Sequence, residues 1–343
     1  MPDEADPHKR TWMTFGASRA IWTAAELPVV QDNLAGIANA IAEFEPLTML
    51  VRAEELALAR SKCSPKVEFV TTTMNDFWMR DIGPVFVKDG GGTKAAVDFN
   101  FNGWGNRQVH DLDAKVAAFT ALTASVAVNR TTLVLEGGGI EVDGQGTAII
   151  TESCALNANR NPGLLKADAE TQLKALLGLR TIIWLPGIRN KDITDAHTDF
   201  YARFTAPGVV VAHLDNDPAS YDYAVTRQHL AILNAAKDAD GRSLNVQALA
   251  APATVRAQYR NSQTFAAGYV NFYVVNGGVI VPQFGDAAAD GHALRTLQGL
   301  FPGRRVQRRW PVGASSAMMQ FANRLSPRWS TPMKLFFGPP VVR

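Results

Sequence analysis

Hydrophobic and polar positions along this chain repeat one pattern: a short strand-like run, a glycine-containing turn, a second run, then an amphipathic stretch. The clearest copy is LVLEGGGIEVDGQGTAIIT, where Asp143-Gly144 marks a tight turn between two alternating segments and Lys166 to Leu177 follows with helical spacing. YVNFYVVNGGVIVPQF repeats the arrangement, with Asn276-Gly277 as the turn and a helix predicted around Asp290 to Leu300. A third copy is HTDFYARFTAPGVVVAHL, followed by a helix from about Tyr221 to Ala236. NDFWMRDIGPVFV, then AAVDFNF and a helix near Leu112 to Leu122, makes a looser fourth.

Each unit carries a polar group in or near its first strand. These are Asp81, Glu136, His197 with Asp199, and Asn271, separated by 55, 61 and 74 residues. Units of this size cannot bury their apolar faces alone, so they close around an axis and the equivalent ends of their first strands converge. The spacing therefore predicts an α/β fold of radially repeated strand-strand-helix units with a polar centre. The next position falls near residues 320 to 340, where GASSAMMQFANRLSPRW holds no catalytic residue type.

Composition narrows the function classes. With 343 residues, 47% hydrophobic and 19% charged, the chain has the make-up of a soluble globular protein with a sizeable core. The acidic N-terminal MPDEADPHKRTW has no apolar stretch, and no apolar run approaches the roughly 18 residues of a membrane span, so a cytoplasmic location and no membrane partner are expected. The net charge of +2 conceals an asymmetry: residues 304 to 343 hold eight Lys or Arg and no Asp or Glu. The remaining, mildly acidic body suits a small cationic ligand better than nucleic acid. Cys63 and Cys154 read as reduced thiols, and no cysteine or histidine cluster has metal-site spacing. The glycine triplets at 90–92 and 137–139 read as turns, because neither has the Lys-Ser/Thr of a phosphate loop.

Taken singly, the polar groups have bland readings: Glu136 as a solvated hairpin end, Asp81 as an ion pair with Arg80, His197 as a surface histidine, Trp78 as core. Their recurrence at corresponding positions favours a shared pocket. Together PHKRTWM, NDFWMRDIGP, FNGWG, LEGGGIEVDGQGTAIITESCALNANRNP, WLPGI, DITDAHTD, YVNFYVVNGGVIVPQFGD and FPGRRV resemble, in order, the agmatine deiminase and bacterial-type peptidylarginine deiminase family. The resemblance covers about residues 1–306. It implies a five-fold pseudo-symmetric, pentein-like α/β propeller whose last unit is incomplete, with residues 307–343 a divergent basic tail.

The resemblance also implies roles. Asp81 and Asp199 hold the substrate guanidinium, Glu136 and His197 serve as acid/base partners, and Trp78 and Asn271 line the pocket. Asp192 and Asp195 match the approach to the histidine, with Ala196 standing where the family has glycine. No metal or organic cofactor is implied. The expected partner is a guanidine cation, agmatine or arginine, and homo-oligomers are compatible. Agmatine is favoured by PHKRTWM and FNGWG, with peptidylarginine deimination and non-catalytic guanidine or polyamine binding as the alternatives.

The chemistry explains these residue types. A guanidinium is a planar, delocalised cation that carboxylates match bidentately. In the family a thiolate attacks its central carbon, a histidine protonates the departing ammonia, and water hydrolyses the covalent thiouronium. The family's C-terminal Ile-His-Cys-type sequence has no counterpart here: the match stops after Arg305-Val306, and no His or Cys follows His292. A shifted reading frame or a replaced terminal exon accounts for such a break, and an unclosed terminal unit would reduce solubility. Cys154 is expected at the end of the Glu136 hairpin away from the axis and Cys63 in a polar loop, neither placed to replace the nucleophile.

Overall fold

The hairpins predicted from the sequence all form, and each gains a third strand through a helical crossover. In the computed structural model, which describes residues 1–254, 267–308 and 341–342, the strands fall into five small sheets. The first unit was not apparent in the repeat pattern. It consists of β1 (His8–Phe15), β2 (Leu47–Val51) and β3 (Val67–Thr71), all parallel, with the helix Leu27–Ile41 between the first two. The second sheet contains β4 (Val85–Lys88), β5 (Lys94–Asp98) and β6 (Ala127–Arg130); the third contains β7 (Ile140–Val142), β8 (Thr147–Thr151) and β9 (Thr181–Leu185). The fourth holds β10 (Ala202–Ala206), β11 (Val209–Leu214) and β12 (Asn245–Ala250), and the fifth β13 (Tyr273–Val275), β14 (Gly278–Val281) and β15 (Arg305–Arg308).

In sheets two to five the first pair is antiparallel and the third strand is parallel to the second. A parallel neighbour cannot be reached by a tight turn, so the amphipathic helix supplies the crossover. These helices are Val116–Thr123, Lys166–Leu177, Asp222–Ala235 and Ala287–Leu300. The last is capped by the Asp286 carboxylate, which accepts from the Ala289 N–H at 3.0 Å. The Asn276-Gly277 turn forms as predicted, with Gly277 at φ +78°, a left-handed conformation in which a β-carbon would be strained. The chain ends meet in the first sheet, where β16 (Val341–Val342) pairs antiparallel with β1 at His8 and Arg10. The position expected near residues 320 to 340 and most of the basic tail lie outside the described residues.

Helix and sheet faces pack as separate cores around the ring. Leu173 and Leu177 bury against Ala148 and Ile150 in the third unit, and Ala293 and Leu297 against Val279 and Val281 in the fifth. No helix among the described residues is long and apolar enough to cross a membrane. The polar positions, expected in or near the first strands, lie in the short turns leading into them. Asp81 is in the helix Met79–Ile82 before β4, and Glu136 opens the 3₁₀ turn before β7. His197 and Asp199 flank and form the turn before β10, and Asn271 precedes β13. A turn at the axis can aim a side chain inward without leaving a strand face unpaired.

Several carboxyls away from this centre are buried without a matching cation. Burial pushes Asp3, Asp76, Asp113 and Asp222 each up to about 7, despite the hydrogen bonds they accept. The native state therefore holds protons that the unfolded chain releases near pH 4, and Glu141, pushed up by burial to about 8, adds to this. Buried His213 and His229, held down at about 4 and about 3, act in the opposite sense but are outnumbered, so stability falls as pH rises from about 4 to about 8. Urea midpoints measured between pH 5 and 8 should be highest at the acid end; a midpoint rising with pH would contradict this account.

Candidate active site

All seven site residues expected from the sequence are buried: Trp78, Asp81, Glu136, Asp192, His197, Asp199 and Asn271. Four of them meet around Gly138 and the His197 ring. A β-carbon on Gly138 would lie 2.5 Å from His197 Nδ1, 2.8 Å from Asp81 Oδ1 and 2.9 Å from Asp199 Oδ2. Only glycine lets the backbone pass so close, which gives the triplet at 137–139 a reason beyond turning the chain. Glu136 lies on the other side of the imidazole, its Oε2 2.9 Å from His197 Nε2, while Asp81 Oδ1 is 3.6 Å from Nδ1.

Asp81 is fixed before any ligand arrives. Its Oδ2 accepts from the Trp104 indole N–H at 3.0 Å and its Oδ1 from the Gly138 N–H at 3.2 Å. Trp78 packs edge-on against Trp104, with ring centroids 6.0 Å apart. The side-chain amide of Asn271 donates to the Asp199 carbonyl at 3.4 Å, tying the fifth unit to the fourth.

The loop carrying His197 is held from below. Asp192, which the resemblance places on the approach to the histidine and among the substrate-binding residues, accepts from the Thr194 N–H at 2.6 Å and the Ala196 N–H at 2.9 Å, so its oxygens close the turn. It also borders a separate cavity of about 10 Å³ with Tyr201, His213 and Asp222. Asp195 and Ala196 both take left-handed conformations, φ +59° and +66°. For alanine that costs on the order of 1 kcal/mol, which explains why glycine is the easier residue there and why extra ties are present. Thr151 Oγ1 donates to the Ala196 carbonyl at 2.6 Å and Ser153 Oγ to the Asp195 carbonyl at 2.7 Å.

Sequence reasoning missed Arg160. This fully buried guanidinium donates from Nε to both oxygens of Glu136, at 2.9 and 3.0 Å, and from Nη1 to Asp195 Oδ2 at 2.9 Å. Arg107 reaches Asp195 as well, at 2.9 Å. The Asp195–Arg160–Glu136 chain supplies the countercharge that lets a carboxylate stay in a dry centre. The only sequence signal was its place in NANRNP, one of the stretches quoted for the family resemblance.

Cys154 requires a correction. It was expected away from the axis, but the short helix Glu152–Ala155 folds it back, and its Sγ lies 3.6 Å from Glu136 Oε2. The chain turns at the end of β8 rather than continuing outward. Cys154, Glu136 and His197 offer atoms within 4.8 Å of one another. A divalent ion there would sit against the Arg160 guanidinium, which already occupies both Glu136 oxygens, so the donor set does not fit a metal well. Cys63 caps the helix Leu56–Lys62 at the edge of the first core, where burial pushes its thiol up to about 11.

Comparison with known proteins gives the family and the fold. The model of the Porphyromonas-type peptidyl-arginine deiminase family matches residues 1–310. The chain is 40% identical to a putative agmatine deiminase of Streptomyces coelicolor over 313 residues, covering 89% of this chain and 91% of the relative. It is 38% identical to the agmatine deiminase of Stutzerimonas stutzeri over 324 residues, 88% of each. The solved agmatine deiminase of Enterococcus faecalis superimposes with a TM-score of 0.87 at 30% identity, over 98% of this chain and 96% of that one.

Replacing Arg160 by Met leaves Glu136 buried beside an apolar side chain, and removing one partner of such a pair costs about 3–5 kcal/mol. Urea unfolding should show a loss of about that size in Arg160→Met, with only partial recovery in Arg160→Lys, which has no fork to span both oxygens. A loss below ~1 kcal/mol, the value of a surface pair, would mean that Arg160 does not neutralise Glu136.

Proposed function

The chain belongs to the Porphyromonas-type peptidyl-arginine deiminase family, whose agmatine deiminase relatives are hydrolases of guanidines, and we propose that its axial site binds agmatine in the geometry of deimination. The reaction in view is agmatine and water to N-carbamoylputrescine and ammonia. The observation that carries this reading is the convergence of Asp81 and Asp199 on one point beside His197 Nδ1, at the Gly138 backbone. Two buried carboxylates there match the two edges of a planar guanidinium. The compared relatives named above are agmatine deiminases, which favours agmatine over a peptidyl arginine.

Each group then has a part. Asp81, locked by Trp104 and Gly138, and Asp199 orient the guanidinium with its central carbon fixed, which lowers the entropy cost of attack. Glu136, held by Arg160, fixes the His197 ring from Nε2 and can relay a proton. His197 delivers that proton to departing ammonia. Trp78 and Asn271 shape the walls, while Asp192 acts through the loop it closes.

A second reading is favoured by the position of the thiols. The guanidinium-binding carboxylate Asp81 lies on the Nδ1 side of His197, whereas Cys154 lies on the Nε2 side against Glu136. The imidazole stands between Cys154 and the proposed guanidinium, so this thiol has no line of attack, and Cys63 lies half-buried at the edge of the first unit's core. The chain's own thiols therefore support guanidine binding better than turnover. Without a covalent nucleophile, orientation and electrostatics leave about 10³- to 10⁴-fold acceleration over water.

Agmatine titration by calorimetry and an ammonia assay, run together, separate these readings. Saturable agmatine binding, weakened at least about tenfold in Asp199→Ala, is the expected result under both. Ammonia release abolished by the same substitution would establish turnover, and its absence beside intact binding would establish the binder. Failure to bind agmatine, with arginine peptides bound instead, would replace the agmatine reading by the peptidylarginine one.

A further inference from the structure

Beside the proposed active site the fold buries two more arginines that share one acid, Arg203 being paired with Glu141 as well. Arg80 comes from the helix Met79–Ile82 of the second unit, one residue before Asp81, and Arg203 from β10 of the fourth. They are 8% and 3% exposed, and their charges oppose one another. The carboxylate between them comes from outside every sheet and helix: Glu4, on the N-terminal segment before β1. Its Oε2 pairs with Arg80 Nη2, while its Oε1 takes Arg203 Nη2 at 2.8 Å and the Val274 N–H at 2.9 Å. Burial alone would lift this carboxyl, but Arg203 and then Arg80 outweigh it and hold it down at about 2.

The receptor is built by the propeller and the ligand is brought by a tether. Three donors from the second, fourth and fifth units point at one place, divided so that one oxygen receives two of them and the other oxygen one. That division suits a planar carboxylate and not a spherical halide. The walls are preset by other contacts. Arg203 Nη1 donates to the Phe272 carbonyl at 2.9 Å, its guanidinium lies 4.8 Å from the Phe272 ring, and its Nε faces Glu141 Oε2 at 2.8 Å. Glu141 in turn accepts from the Phe204 N–H at 2.8 Å. Asp3, Tyr273 and Arg304 are further ionisable neighbours of Glu4 and Arg80. Beside Glu4 is a cavity of about 20 Å³ bounded by Pro2, Arg80, Phe86 and Glu141, enough for one water-sized species.

We propose that Arg80, Arg203 and the Val274 N–H form a binding site for a small carboxylate anion, whose resident ligand is the chain's own Glu4 side chain and which takes free formate or acetate when Glu4 is removed. The N-terminal segment thus carries an intramolecular ligand that ties it to the second, fourth and fifth units. A tethered ligand acts at millimolar or higher effective concentration, so the unaltered protein does not respond to free carboxylates. This inference does not depend on agmatine as the substrate, and its readout is stability rather than turnover.

The test uses Glu4→Gly, which empties the site, and thermal unfolding in sodium formate against sodium chloride at equal ionic strength. The variant should melt roughly 5 °C or more below the parent in chloride and recover saturably in formate, with acetate weaker because of its methyl group. Glu4→Gln should lose stability without recovering, since the amide fills the space, and Glu4→Gly combined with Arg203→Met should lose the formate response. Equal behaviour in formate and chloride, or an equal formate response in the parent, overturns the proposal. So does a Glu4→Gly chain that is insoluble and is not recovered by refolding in formate.

Discussion

Every feature of the centre follows from one constraint: carboxylates gathered in a water-free core must each meet a cation or directed N–H groups. A buried ion without a partner costs several kcal/mol, comparable to a large part of a domain's net stability. The propeller meets this by stacking charge in layers along its axis. Asp81 takes two N–H donors, Glu136 takes both His197 and the side-on Arg160, and Glu4 sits between Arg80 and Arg203. The cations come from different units than the acids they serve, apart from Arg160, which lies in the same unit as Glu136. Charge pairing therefore locks the units in rotation about the axis, a task apolar contacts between neighbouring wedges do less specifically.

Much of the architecture was legible because hairpins advertise themselves. Turn dipeptides such as Asn276-Gly277, flanked by alternating apolar residues, fix two strands at once, and a following 3.6-residue periodicity fixes the helix. The third strand of each unit has no such mark. β6 is Ala127–Arg130 and β15 is Arg305–Arg308, runs of four residues with polar members, and their pairing is set by a partner lying beyond a helix. The first unit was hidden for a related reason. Its strands are all parallel, so it contains no hairpin turn, and its other edge is paired by residues from the far end of the chain.

At the site, the legible residues were those whose neighbours in sequence announce them: Asp81 in WMRD, Glu136 in LEGG, His197 and Asp199 in HTD. Arg160 and Glu4 stayed unread because their roles exist only across space, between residues 24 and 76 positions apart. An arginine or glutamate in a polar stretch is by default a solvated one. Asp192 also belongs to the motif, and its oxygens accept from the Thr194 and Ala196 N–H groups, a contact that the motif alone does not reveal. Cys154 shows that strand polarity is a poor guide beyond the strand's end, where one helical turn reverses the direction of the chain.

The two faces of His197 give the arrangement its chemical sense. On the Nδ1 face, Asp81 and Asp199 close in on the Gly138 backbone so tightly that only a residue without a side chain fits there. On the Nε2 face, Glu136, Cys154 and Arg160 are packed shut at zero exposure or nearly so. In the proposed reading the first face binds the guanidinium and the second supports it, and a thiol gains or loses a catalytic role by which one it occupies. Cys154 is within reach of the Glu136–His197 pair and still on the side away from Asp81. Proximity to a histidine does not make a nucleophile; the attacking atom must share the face on which the guanidinium carbon is presented.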